Sequence, residues 1–132
     1  MIASTSPTHP NVSTNPPIDS EVPVVGYLVD YGFGPIANAN ADRFQVKVFI
    51  SDLRKHPDGT NYENQLFVLK DSLYPTLPDA YQFADGTIRF FAYESQLPAV
   101  LAVLASGLKV WMRTREGRVS LVTAAAKLPS LD

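Results

Sequence analysis

Apolar and polar residues alternate with a period of two over much of this chain, which predicts β-strands that each have one buried face. Residues 43–51 show it most clearly, with Phe44, Val46, Val48 and Ile50 on one side and Arg43, Gln45, Lys47 and Phe49 on the other. A β-branched and aromatic run precedes them at residues 24–31 and stops at Gly32-Phe33-Gly34-Pro35, so a hairpin is the simplest connection between the two. Residues 52–64 hold Pro57, Asp58 and Gly59 and read as a loop, followed by a short third strand at 65–70. Pro75 and Pro78 make residues 71–84 irregular or only briefly helical. After the Asp85-Gly86 turn, residues 87–93 alternate again, with Ile88, Phe90 and Ala92 opposite Arg89, Phe91 and Tyr93.

The period changes only once. Residues 96–106 form a helix pattern, with Ser95 as N-cap, Pro98 in the first turn and Gly107 at the C-terminal cap. Leu97, Val100, Leu101, Val103 and Leu104 leave it almost no polar face, so it is expected to be buried against the sheet or against another subunit. Two closing strands follow at 108–115 and 118–123, joined by Glu116-Gly117 as a two-residue turn.

The expected fold class is therefore mainly β: a small OB-like antiparallel barrel or strongly twisted sheet of five to six strands with one short buried helix. The resemblance to the OB-fold is one of element order, hairpin, further strands, helix and closing hairpin, over roughly residues 24–123. An α+β sheet with one helix on a face fits the same order. The chain has 132 residues, 45% of them hydrophobic, enough for one domain with a core. Residues 1–22, rich in Ser, Thr, Asn and Pro, are expected to be a disordered tail; 23–128 form the domain and 129–132 a C-terminal tail.

Charge changes the picture by its placement more than by its sum. The net charge is −2, which argues against an overall attraction to polyanions. Acidic residues nevertheless gather in the tail, turns and loops, while the outward positions of the strands are basic and aromatic. Arg43, Lys47 and Phe49 belong to the second strand, Arg89, Phe91 and Tyr93 to the strand before the helix, and Lys109, Trp111, Arg113 and Arg115 to the strand after it. Cations at phosphate spacing and flat rings for unstacked bases are what single-stranded nucleic acid requires. Those ten residues are the candidate site, and Trp111, the single tryptophan, carries the most weight because a large outward aromatic usually has a partner. The aromatics Tyr27, Tyr31 and Phe33 read either way: Tyr27 and Tyr31 share one face with Val29 and extend that platform or line the core, core being favoured for at least one of the aromatics.

Catalytic templates fail one after another. There is no cysteine, no glycine-rich phosphate loop, and the two histidines, His9 and His56, sit in no motif. Asp52, His56, Asp58 and Glu63 are the best metal candidate, but their spacing matches neither the calcium loop nor a helical His pair, and a solvated polar loop is the better reading. No enzyme activity and no cofactor are expected. The expected partner is single-stranded DNA or RNA, bound with little sequence preference. The alternative is a protein interaction or assembly module using the same aromatics, with homo-oligomerisation through the 96–106 helix or a sheet edge. Lack of cysteine, of a leader pattern and of a long apolar run predicts a cytoplasmic protein without membrane contact.

Overall fold

The computed structural model describes residues 12–14, 16–32 and 46–123. Among the described residues eight strands and one helix succeed one another: β1 (Val12–Thr14), β2 (Ser20–Tyr31), β3 (Val46–Lys55), β4 (Asn61–Leu69), β5 (Tyr81–Phe83), β6 (Ile88–Tyr93), α1 (Leu97–Leu104), β7 (Val110–Arg115) and β8 (Arg118–Thr123). They lie side by side in the order β1-β5-β6-β4-β3-β2-β7-β8, a single curled sheet that forms a half-barrel. The mainly β class is as the alternation predicts.

Twelve residues long, β2 serves both halves of the sheet. Ser20 to Pro23 pair with Thr114 to Trp111 of β7, while Val24 to Tyr31 pair with Asp52 to Val46 of β3. The change of partner falls where the register slips between Val24 and Gly26, and an extra residue in one strand bends it there. The strand begins inside the span read as tail, which also supplies β1, paired with β5.

Two expectations on the sheet are corrected. It is mixed, not antiparallel throughout, since β4 and β6 run parallel from Gln65↔Arg89 to Leu69↔Tyr93. A parallel pair needs a long crossover, and the proline-bearing residues 70–87 supply it with a 3-10 turn at Asp71–Leu73 and the short β5. Strand number rises from five or six to eight partly because β5 lies within that stretch and was hidden by its prolines. The loop expected at 52–64 shrinks to a turn around Asp58 and Gly59, because β3 and β4 both extend into it.

Val48, Ile50, Leu66, Ile88, Phe90, Ala92 and Met112 form the core on the inner face of the curl. Leu97, Val100, Leu101 and Leu104 of α1 pack on it, yet no residue of the helix is fully buried. This corrects the expectation of a buried helix: the half-barrel covers one side of α1 only. A 3-10 turn at Glu94–Gln96 leads into it, Gln96 holds the N-cap position, and the Ser95 hydroxyl donates to Asp71 Oδ2 at 2.6 Å.

A buried polar knot fixes the strands to one another. Asn64, fully buried on β4, donates through Nδ2 to the Ile50 carbonyl (3.0 Å) and to Asp52 Oδ2 (2.8 Å), and accepts from the Ile88 amide (3.0 Å). Asp52, also fully buried, takes Arg54 Nη2 at 2.7 Å and Nε at 3.0 Å. Arg54 lies 4.5 Å over the Tyr62 ring and donates to the Gly86 carbonyl. Gly86 has φ +96°, and a Cβ there would come within 2.6 Å of Tyr62, so only glycine fits the turn that starts β6.

Replacing Asn64 by alanine leaves the Ile50 carbonyl, the Ile88 amide and the Asp52 carboxylate each short of a partner. Such groups cost about 1–3 kcal/mol each when left unpaired in the interior, so Asn64→Ala is expected to lose about 3 kcal/mol of stability in urea denaturation; a loss below about 1 kcal/mol would show that the knot is dispensable.

Candidate nucleic-acid interface

The outer face of the sheet is ordered in rungs that run across the strands. One rung reads Leu28, Phe49, Gln65, Arg89 and Tyr81, from β2 through β3, β4 and β6 to β5. The next reads Asp30, Lys47, Phe67 and Phe91. In β3, β4, β5 and β6 each of these residues alternates with a buried neighbour, so the inner core fixes the outer register there.

On this face three aromatic rings, Phe67, Tyr81 and Phe83, surround the Arg89 guanidinium, and a fourth, Phe91, packs against two of them. Phe67 and Phe91 meet edge to face at 6.1 Å, Tyr81 and Phe83 at 5.4 Å, and Tyr81 and Phe91 at 6.5 Å. Arg89 lies 4.5 Å over Phe67, 5.0 Å over Phe83 and 5.6 Å over Tyr81. Its Nε donates to Gln65 Oε1 and its Nη1 to the Tyr81 hydroxyl, both at 2.8 Å. Lys47 holds its ammonium 5.5 Å over the other neighbour of the cluster, the Phe67 ring. All of these side chains are half-buried, exposing ring faces and edges beside positive charge.

The candidate residues therefore fall into two groups. Lys47, Phe49, Arg89, Phe91 and Tyr93 come together on the β3, β4 and β6 face. Trp111, Arg113 and Arg115 alternate with the buried Val110, Met112 and Thr114 on the outer face of β7, and Lys109 immediately precedes them, beyond the bend of β2. Pro23, opposite Trp111, and Leu28, opposite Phe49, are separated by five positions, on the order of 15 Å of strand. Trp111 is half-buried with Lys109 5.4 Å over its ring. The Arg113 charge is already matched, since Nε meets Glu21 Oε2 at 2.6 Å. Arg115 faces Arg118 across the tip of the β7-β8 hairpin. Arg43 lies outside the described residues.

Three members of the cluster escaped sequence reasoning: Phe67, Tyr81 and Phe83. Phe67 carried a readable signal, the alternation of Gln65 and Phe67 with Leu66 and Val68. Tyr81 and Phe83 alternate around the buried Gln82, but their segment is too short to stand out beside two prolines. Of the ambiguous aromatics of the first strand, Tyr27 and Tyr31 are both exposed, which corrects the expectation of a core place for either, although they share the face of Val29, which packs against the core; Phe33 lies outside the described residues.

One rung further along, the face turns polar. Ser51 pairs with Glu63, and the turn at residues 56–60 and the Asp85-Gly86 turn rise beside them to form a pocket of about 660 Å³. Burial by itself would raise the Asp85 carboxyl, but hydrogen bonds from the Thr87 hydroxyl and amide, aided by the charge of His56, hold it below its ordinary value. The suggested metal set is dispersed: Asp52 is in the interior knot, Asp58 accepts from Thr60 in the turn, and Glu63 stands on the outer face. Among the described residues no group of three His, Asp or Glu is placed to hold a metal ion, and no helix is long and apolar enough to cross a membrane.

Compared with protein-family models, with curated proteins and with solved structures, the chain gives no significant match to any of them.

The two arginines are expected to behave differently on truncation. Arg113→Ala removes a surface ion pair and should cost less than about 1 kcal/mol, whereas Arg89→Ala removes two hydrogen bonds and three ring contacts and should cost about 2 kcal/mol. Thermal unfolding of the two variants compares them directly, and equal losses would contradict the assignment of Arg89 as the centre of the cluster.

Proposed function

We propose that this protein binds single-stranded nucleic acid, single-stranded DNA foremost, on the outer face of β3, β4 and β6, as a binding protein and not an enzyme. The observation that carries the proposal is the cluster of Phe67, Phe91, Tyr81 and Phe83 around Arg89, with Lys47 at its border. Rings at this density offer bases a sequence-tolerant stacking surface worth about 1–3 kcal/mol per base, and the cations among them meet the phosphates. In an OB-fold the second and third strands bear the oligonucleotide. Here β3 and β4 hold the corresponding places after a long curved β2, which supports an OB-like reading of the half-barrel. Lys109, Trp111, Arg115 and Arg118 would receive a strand long enough to pass round the bend.

A second reading, a protein interaction or assembly module, has an observation of its own. An apolar groove of about 560 Å³ lies between α1, β6 and β8, lined by Phe90, Ala99, Val100, Val103, Val119 and Leu121. A second copy of the chain, seated there or on the β8 edge, would make a homo-oligomer in which the outer face stays open to nucleic acid.

The nucleic-acid reading is checked by anisotropy of a labelled oligothymidylate at two salt concentrations. Phe91→Ala is expected to weaken binding about tenfold, as loss of one stack does. Lys47→Glu should weaken it and reduce the dependence of log affinity on log salt by about one. Unchanged affinity in both variants would contradict the assigned face, and a monomer at high concentration in sedimentation would remove the assembly reading.

A further inference from the structure

We infer that the polar pocket beside the aromatic rungs is a guanine-reading subsite. This rests on the nucleic-acid reading of the same face and adds a base preference at one position to contacts that are otherwise indifferent to sequence.

The pocket presents hydrogen-bond acceptors and donors side by side. Ser51, His56, Asn61, Glu63, Gln65 and Asp85 line it. Asp85 is already engaged, accepting from the Thr87 amide at 3.0 Å and hydroxyl at 2.7 Å. Asn61 spends its amide on the Asp52 carbonyl at 2.8 Å. Glu63 has no such engagement among the described residues: it is exposed, on the outer face of β4, in register with Ser51. Gln65, two residues on and so on the same face, uses Oε1 to accept from Arg89, which orients its amide and leaves Nε2 as a donor. A carboxylate with two acceptor oxygens thus stands one rung from an amide donor.

Among the bases, guanine alone carries two adjacent donors on its Watson–Crick edge, N1–H and the N2 amino group, with the O6 acceptor beside them. Glu63 matches the two donors and Gln65 Nε2 matches O6. Thymine and uracil have one donor there, while adenine and cytosine offer an amino group next to an acceptor that a carboxylate repels. The His56 ring supplies a flat wall, held by stacking on Tyr62 at 4.4 Å and 18°. The Arg89 bridge joins the two functions of the face, since the Gln65 that it orients lines the pocket while its guanidinium lies on Phe67 and Phe83. A base turned into the pocket would leave its neighbour within reach of the aromatic rungs.

The test titrates the isotope-labelled full chain with guanosine, inosine and adenosine monophosphates and follows the backbone amides by NMR. Inosine lacks only the N2 amino group. Guanosine monophosphate is expected to shift Glu63, Gln65 and Thr87 at about tenfold lower concentration than inosine monophosphate, the discrimination typical of one bidentate base contact, and adenosine monophosphate to leave them unmoved. Glu63→Gln, an exposed substitution that does not threaten folding, should erase the difference between guanosine and inosine. Equal responses to all three nucleotides, shifts confined to residues away from the pocket, or a guanine preference that survives Glu63→Gln would each overturn the inference. The parent reading falls separately: guanosine shifts without oligothymidylate binding would leave the pocket standing and remove the strand-binding face, and the reverse result would do the opposite.

Discussion

Strand β2 has to satisfy two partners at once, and the architecture follows from that constraint. Its backbone donors and acceptors are met by β7 at one end and by β3 at the other, which a straight strand in a flat sheet achieves only with a single neighbour on each side along its whole length. The slip of register at Val24 and Gly26 bends the strand where it changes partner. The bend folds the β7-β8 hairpin towards the core made by β3, β4 and β6, so that Met112 from one wing packs with Val48 and Ile50 from the other. What remains on the convex side is a face whose residues are excluded from the core by the pleat alone.

Holding that face in register falls to the buried knot of Asp52, Arg54 and Asn64. Asn64 reaches the Ile50 carbonyl on β3 and the Ile88 amide at the start of β6, on both sides of its own strand. A one-residue slip of any of these strands would exchange core and surface residues, placing Lys47, Phe67 and Arg89 inside. Buried polar groups that are fully paired make such slips costly, since each alternative leaves them without partners. The aromatic cluster on the outer face and the polar pocket beside it are therefore two consequences of the same interior contacts.

Much of this was legible in the sequence, for physical reasons that differ along the chain. The faces of β3, β6 and β7 follow from strict alternation, and the hairpin at Glu116-Gly117 from two residues that adopt φ of 52° and 79°. Alternation records which residues are buried but not which strands are neighbours. The division of the candidate residues into two groups, and the parallel pairing of β4 with β6, thus had no local signature. Nor did the salt bridge between Arg113 and Glu21, 92 residues apart. Helix α1 was visible from its composition, yet its depth of burial depends on how far the sheet curls. Tyr81 and Phe83 were obscured because a three-residue strand beside Pro75 and Pro78 is too brief for a period to emerge, although tertiary pairing with β6 holds it extended.

We propose that single-stranded nucleic acid lies on the convex rungs of β3, β4 and β6 and not in the apolar groove beside α1. Photo-crosslinking with a bromodeoxyuridine-substituted single strand, followed by peptide mapping, tests it most directly because the reaction marks residues in stacking contact with a base. Crosslinks at Phe67, Phe91 or Tyr81 that are lost with excess unlabelled single strand and persist with excess duplex are the predicted result. Crosslinks confined to the α1-β8 groove, or none from a folded sample, would contradict the account.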